Sequence, residues 1–271
     1  EERQKEKTAV DEMRFSGGST AGSRKEVDEW ERKLGDKGTD LERMKTRHGR
    51  VQKSFVDMRA GIEHLADKLE AVRLLCRESG CAQRYLTHDA LNAIYQATWQ
   101  ISDDHGGEQH ERFLAYLHRI QDEDLTLGVA MTDGKGDRSK RPGDQQNIDS
   151  YLHITERCTA GIVISGAKAI VTGGPYMHEL LVMPCRTMRE EDADFAVCCA
   201  VPIDAKGLTI ISRPAGRPGE ADAKFSSKYG QSVAVCHFDQ VLVPWDQVFL
   251  SGEHDYTEHL VTSYANHHRH S

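Results

Sequence analysis

The sequence Met-Thr-Asp-Gly-Lys-Gly-Asp-Arg-Ser occupies residues 131–139, and Ser-Gly-Ala-Lys-Ala-Ile-Val-Thr-Gly follows at residues 165–173. Two glycines in the first stretch expose backbone N–H groups beside Lys135 and Arg138, an arrangement that can hold a phosphate group. The second stretch predicts a short strand that breaks at Thr172-Gly173, where a hydroxyl beside glycine can bind a flat ring close to the backbone. The two stretches together predict a site for a phosphate-bearing cofactor such as a flavin. Gly-Lys-Gly-Asp is also ordinary turn sequence, so the residues alone leave a plain surface turn open.

The residues before 131–139 show helical periodicity. The residues on both sides of 165–173, and those within it, show the pattern of strands. Apolar residues at spacings of three and four predict a helix from Phe55 to about Cys76, and further helices at about 89–105 and 109–121. Strands are predicted at 151–156, 161–165, 167–172, 179–183, 195–202, 208–212, 233–238 and 240–244. Many short strands separated by turns are typical of a sandwich or a barrel. The sequence therefore predicts a helical domain over 55–124 and a β domain over 125–250.

The two ends of the chain have other compositions. Residues 1–54 are rich in Glu, Lys, Arg, Gly and Ser, and we predict a divergent helical segment that is partly disordered. Helical character returns over 251–271.

Composition and charge exclude several classes of protein. The 271 residues carry a formal net charge of -8, with a pI near 6.0, which argues against nonspecific binding to nucleic acid. No run of eighteen apolar residues and no secretory leader is present, so we expect no membrane span and a cytoplasmic location. The seven cysteines have irregular spacing and predict free thiols, with Cys198, Cys199 and Cys236 as small core residues.

The two opening stretches, followed by His178-Glu179, Val182-Met183-Pro184 and Ala200-Val201-Pro202, resemble the flavoenzyme family of 4-hydroxyphenylacetate 3-monooxygenase and 4-hydroxybutyryl-CoA dehydratase. The resemblance covers residues 55–271. It implies the acyl-CoA dehydrogenase architecture, in which a helical region, a central β-barrel and a C-terminal helical bundle meet around FAD. The expected fold is therefore α+β, with an N-terminal helical region and an antiparallel β-barrel or sandwich, and without the C-terminal bundle.

The resemblance also implies which residues bind FAD. Carried onto this chain, they are Met131, Thr132, Lys135, Asp137, Arg138, Ser139, Thr172 and Gly173. A second interpretation of Asp137-Arg138 is a local ion pair that holds a turn.

One histidine is the predicted catalytic residue. His268 lies in Asn266-His267-His268-Arg269-His270-Ser271, and the matching dehydratase segment, His-Arg-Gln-Ser, carries a histidine that binds an iron–sulfur cluster near the substrate. Imidazole suits both metal binding and proton transfer. Cys81 fits the first cysteine of the cluster motif, but Tyr85 occupies the second position. The sequence therefore predicts a cluster that is altered or absent, with Cys81 and His268 as its candidate ligands.

Three functions remain open. The segment Asp89-Ala90-Leu91-Asn92-Ala93 follows the dehydratase branch, and residues 86–90 lack the phenol-binding Arg and Tyr of the monooxygenases. The first prediction is an FAD-dependent, homo-oligomeric enzyme that acts on an acyl-CoA or a related small molecule, as the dehydratase/vinylacetyl-CoA isomerase does. The second is a reduced-flavin monooxygenase supplied by a separate reductase. The third is a fragment, or one half of a split enzyme, that needs a helical partner.

Overall fold

A computed structural model describes residues 70, 73–74, 77, 86–134, 136–214 and 230–269 of the chain. The described residues of the first predicted helix (Glu70, Arg73, Leu74 and Arg77) are helical. Cys81 and Lys135, which are predicted site residues, lie outside the described residues, as does the whole of residues 1–54. The proposed domain boundaries at 54, 124 and 250 therefore stay predictions.

Three longer helices are present in the described part of the chain: α1 (Leu86–His105), α2 (Gln109–Asp122) and α3 (Thr257–Arg269). In α1, Ala90, Ile94, Ala97 and Ile101 recur every three or four residues and are buried, which confirms the helix predicted at 89–105. The residues buried in α2 are Phe113, Tyr116, Leu117 and Ile120. None of the described helices has the length and apolarity needed to span a membrane.

Within the described ranges, eight strands form two four-stranded sheets. They are β1 (Leu127–Ala130), β2 (His153–Cys158), β3 (Gly161–Thr172), β4 (Glu179–Val182), β5 (Val197–Pro202), β6 (Leu208–Arg213), β7 (Val233–Pro244) and β8 (Val248–Ser251). The first sheet has the order β1-β4-β5-β8, and the second has the order β2-β3-β7-β6. The fold is thus mixed α+β, as predicted, but the sheets do not close into a barrel. The β1–β4 pair is parallel, so the sheets are not wholly antiparallel either.

Two strands are longer than predicted because breaks in the apolar pattern are bulges and not turns. The segments 161–165 and 167–172 form one strand, β3, whose register with β7 shifts between Ile164 and Gly166. Gln240 in β7 has a φ of 51° at the same place. Its backbone N–H and its side-chain amide both donate to Ser165 Oγ, at 3.1 and 2.7 Å. Local hydrogen bonds therefore carry both strands through the irregularity.

The first sheet is buried on both faces. Leu180 and Val182 of β4 pack in a core between the two sheets, whereas the intervening Leu181 packs against the helices. A strand that is buried on both faces has consecutive apolar residues. This explains why apolar and polar residues do not alternate in β4. The second sheet exposes Ile211, Val235 and Leu242. The result is three layers, with helices on one side of a two-sheet sandwich.

The predicted core cysteines are buried free thiols, which confirms that prediction. Burial raises the pKa of Cys199 to about 12 and that of Cys236 to about 11, so both stay protonated at pH 8. We expect iodoacetamide to label them about 100-fold or more slowly than the partly exposed Cys158 in the folded protein. Peptide mapping by mass spectrometry before and after denaturation in urea measures these rates. Equal labelling of Cys199 and Cys158 in the native protein would contradict the buried position.

Candidate functional site

The structure brings the first predicted cofactor stretch against the strand that carries the second. Residues 131–139 leave the end of β1, and the carbonyl oxygen of Thr132 accepts a hydrogen bond of 2.7 Å from the N–H of Ala169 in β3. Thr172 is the last residue of β3, and Gly173 follows with a φ of 70°, a conformation that favours glycine. Two stretches separated along the chain therefore meet at one place.

Backbone groups of residues 136–139 are largely used by the loop itself. The N–H of Asp137 donates to Gln145 Oε1 at 2.8 Å, and a Cβ at Gly136 would lie 2.2 Å from the same oxygen. The hydroxyl and N–H of Ser139 donate to Asp137 Oδ1 at 2.7 and 3.0 Å, and together they hold the pKa of that carboxyl below its usual range. The glycine at position 136 therefore serves loop closure, and side chains remain to contact a ligand.

Arg138 is one of those side chains. It is exposed and forms no ion pair with Asp137 or with any other residue that the structure describes. The alternative of a local Asp137–Arg138 ion pair is therefore wrong, because Ser139 is what holds Asp137.

Further groups near the loop have no partner within the described protein. The hydroxyls of Thr132 and Thr172 make no hydrogen bond to any described residue. Ala169, whose N–H binds the carbonyl oxygen of Thr132, is followed by Ile170, which has a φ of 60° and a 57% exposed side chain. A β-branched residue at positive φ is strained. Two hydroxyls without a described protein partner and an exposed apolar side chain are the kinds of group that suit a flat ring with polar edges, so their chemistry is compatible with a flavin.

Sequence reasoning missed Ile170, and it also missed a buried ion pair in the same region. The strain at Ile170 arises from a register shift between Lys168 and Val171 opposite β7, which the sequence does not signal. Lys168 Nζ lies 2.6 Å from Asp133 Oδ1, and both side chains are almost fully buried. The sequence does carry one sign of this ion pair, a lysine within an apolar strand, because a buried lysine needs a charged partner.

His268 lies in the last turn of α3 and is held by a carboxylate of α1. Its Nδ1 is 3.0 Å from Asp89 Oδ2, and Asp89 is fully buried. The ring stacks on Tyr264 with 5.9 Å between centroids, and burial, followed by the charge of Asp89, raises the pKa of that tyrosine. A carboxylate acceptor places the imidazole proton on Nδ1 and fixes the ring, as in many metal-binding and proton-transferring histidines.

The contacts described for His268 lie on α1 and α3, away from the described residues of the two flavin stretches. Its described hydrogen bond goes to Asp89, while Tyr264 and Met131 both border the core between the helices and the first sheet. Asp89 was missed as a functional residue because 179 positions separate it from His268 along the chain. Cys81, the other candidate metal ligand, lies outside the described residues.

Comparisons with known proteins identify the family of this chain. A sequence profile of the family described as 4-hydroxyphenylacetate 3-hydroxylase, N terminal, matches residues 32–250. The 4-hydroxybutyryl-CoA dehydratase/vinylacetyl-CoA Δ-isomerase of Clostridium aminobutyricum is 37% identical over 230 residues, which are 82% of this chain and 47% of that protein. The 4-hydroxyphenylacetate 3-monooxygenase oxygenase component of Thermus thermophilus is 30% identical over 60% of this chain and 34% of its own.

The similar solved structures include a dehydratase and a monooxygenase component. An oxygen-tolerant archaeal 4-hydroxybutyryl-CoA dehydratase from N. maritimus has a TM-score of 0.71 and 36% identity, over 76% of this chain and 43% of that one. The oxygenase component of 4-hydroxyphenylacetate 3-monooxygenase complexed with FAD has a TM-score of 0.55 and 26% identity, over 66% and 36% of the two chains. The chain thus spans less than half the length of these relatives. Since the family profile covers most of its residues, this chain belongs to the 4-hydroxyphenylacetate 3-hydroxylase family, in the region described as N-terminal.

Proposed function

We propose that this chain is the flavin-binding part of an FAD-dependent enzyme that acts on a small acyl-CoA thioester, with chemistry similar to that of 4-hydroxybutyryl-CoA dehydratase/vinylacetyl-CoA Δ-isomerase. The observation that carries the proposal is the buried Asp89 carboxylate 3.0 Å from His268 Nδ1. An imidazole oriented in this way can act as a general base and then as a general acid. The higher identity to the dehydratase than to the monooxygenase (37% against 30%) supports the choice of branch.

The proposed flavin site uses residues that the resemblance implies, together with Ile170, which the structure adds. Thr172 would donate a hydrogen bond to the cofactor, Ile170 would pack against its apolar part, and Arg138 would hold phosphate. Bound FAD supplies redox chemistry that side chains lack. The relatives whose structures contain FAD support this assignment.

His268 is the residue that we assign to proton transfer. Moving the double bond of a vinylacetyl thioester into conjugation removes one proton from carbon 2 and adds one at carbon 4, without net oxidation. We assign both transfers to Nε2 of His268, while Asp89 keeps the ring oriented and stabilises its protonated form. A cluster would draw on Cys81 and His268, but Tyr85 at the second cysteine position leaves that ligand set incomplete.

The finer architecture belongs to the same proposal. A helical domain over 55–124 comes before the β domain over 125–250, and a C-terminal helical bundle, supplied by a further segment or a partner chain, completes a homo-oligomer. A flavin reductase would be needed only if the monooxygenase alternative held.

Anaerobic reconstitution with FAD, iron and sulfide, followed by spectroscopy and assay, tests the proposal. We expect flavin absorption bands and conversion of vinylacetyl-CoA to its conjugated isomer, followed by chromatography. Hydroxylation of 4-hydroxyphenylacetate in the presence of a flavin reductase, with no action on the thioester, would establish the monooxygenase alternative. Failure to bind any flavin would favour the fragment or split-enzyme alternative.

Replacing Ile170 with glycine is expected to change stability and flavin affinity in opposite directions. Glycine relieves the strain at φ 60°, so the free energy of unfolding should rise by about 1 kcal/mol. Loss of the apolar contact with the ring should weaken FAD binding about tenfold. Urea denaturation and flavin fluorescence titration measure the two effects.

Ile211→Gly is the matched control, because Ile211 is an exposed strand isoleucine without positive φ. It should lower stability by about 0.5–1 kcal/mol and leave FAD affinity unchanged. A destabilised Ile170→Gly variant that binds FAD normally would contradict both the strain and the contact.

A further inference from the structure

The ion pair between Lys168 and Asp133 lies where the two flavin stretches meet. Lys168 Nζ is 2.6 Å from Asp133 Oδ1, and the side chains are 2% and 3% exposed. Lys168 belongs to β3, four residues before Thr172, and Asp133 belongs to the loop that follows β1. One buried charge pair therefore joins the strand and the loop that the proposed function assigns to flavin binding.

All three donors of the ammonium group are used. Besides Asp133, Nζ donates to the carbonyl oxygens of Met131 at 3.0 Å and Met183 at 2.9 Å. Asp133 Oδ1 also accepts the N–H of Leu152 at 3.1 Å. The pair thus contacts the end of β1, the segment after β4 and the segment before β2 at once.

A buried ion pair is weak evidence of a contribution to stability, because apolar side chains of similar volume often hold a fold as well. Its best-attested role is to fix one register among several that packing alone would allow. At this position the register is the one that sets Met131 and Thr132 beside β3, upstream of the bulge at Ile170.

We propose that Lys168 and Asp133 form a positioning unit for the flavin site: they do not touch the cofactor, but they hold the 131–139 loop in the register with Thr172 that FAD binding requires. The inference rests on the proposed FAD function. The ion pair could support the fold, align the flavin site, or do both. A single substitution would alter both roles at once.

The double variant Lys168→Met/Asp133→Asn isolates the alignment role. It removes both charges, keeps an amide oxygen for the Leu152 N–H, and leaves no uncompensated buried charge. We expect its thermal unfolding midpoint to stay near that of the wild type, whereas its dissociation constant for FAD rises at least tenfold. Hydrogen exchange should be faster in residues 131–139 of the ligand-free variant and unchanged in α1 and α2. Lys206→Met, at an exposed lysine in the turn before β6, is the control and should change none of these.

The outcomes separate the two proposals. If the wild type binds FAD and the double variant binds it equally well, the positioning role is wrong and the proposed function stands. If the wild type binds no FAD, the proposed function fails and the positioning role fails with it. A double variant that loses FAD affinity only in proportion to a loss of global folding would also overturn the inference, so both measurements are made at a temperature where the variant is fully folded.

Discussion

Replacing Lys168 alone with methionine is expected to lower the free energy of unfolding by about 3–5 kcal/mol. Methionine fills much of the volume of the lysine stem but removes the cation, and Asp133 is then left 3% exposed without its partner. The carbonyl oxygens of Met131 and Met183 also lose their donor. Urea denaturation followed by circular dichroism measures the effect.

The exposed Lys206 gives the control for this substitution. Lys206→Met should change the free energy of unfolding by no more than about 0.5 kcal/mol. Adding Asp133→Asn to Lys168→Met should recover most of the lost stability, because no charge then stays buried alone. A single variant as stable as the wild type would show that water or another group reaches Asp133, in conflict with its burial.

Replacing His268 with glutamine is expected to reduce thioester isomerisation by about 10²–10⁴-fold. Glutamine keeps a polar side chain on α3 but cannot exchange a proton near neutral pH. Asp89→Asn should also slow the reaction, because an amide cannot fix the same tautomer or stabilise an imidazolium. Initial rates with vinylacetyl-CoA, together with FAD affinity, measure the effect on each step.

His259→Gln is the matched control, since His259 is an exposed histidine on the same helix. It should leave both the rate and FAD affinity unchanged. Full activity in His268→Gln would remove His268 from the mechanism, and a loss of FAD affinity equal to the loss of rate would assign it to cofactor binding instead.

Local sequence pattern predicted those parts of the fold that depend on local contacts. The spacing of Ala90, Ile94 and Ile101 depends on one helix alone, so α1 could be predicted from the sequence. The edge strands β1 and β8 have four residues each, which is too short for a periodic signal. The parallel pairing of β1 with β4 and the open ends of both sheets depend on strands far apart in the chain, and an antiparallel barrel or sandwich was predicted in their place.

The candidate site also has parts that the sequence could predict and parts that it could not. Residues 131–139 and Thr172-Gly173 were recognisable as short stretches, and their meeting through Thr132 and Ala169 is visible only in the structure. Ile170 gave no signal, because its strain comes from the opposing strand. The partners of Lys168 and His268 could not be paired from sequence, since nothing local relates a residue of one element to a distant carboxylate.

The parallel pairing of β1 with β4 also bears on how the chain folds. Leu127 pairs with Glu179, and the hairpin of β2 and β3 lies between them in sequence. Closing such a long loop costs more entropy than forming a hairpin, so pairings of this kind form slowly. We therefore expect β3, with Thr172, to be in place before β1 brings residues 131–139 onto it, which makes the cofactor site one of the last parts of the chain to assemble.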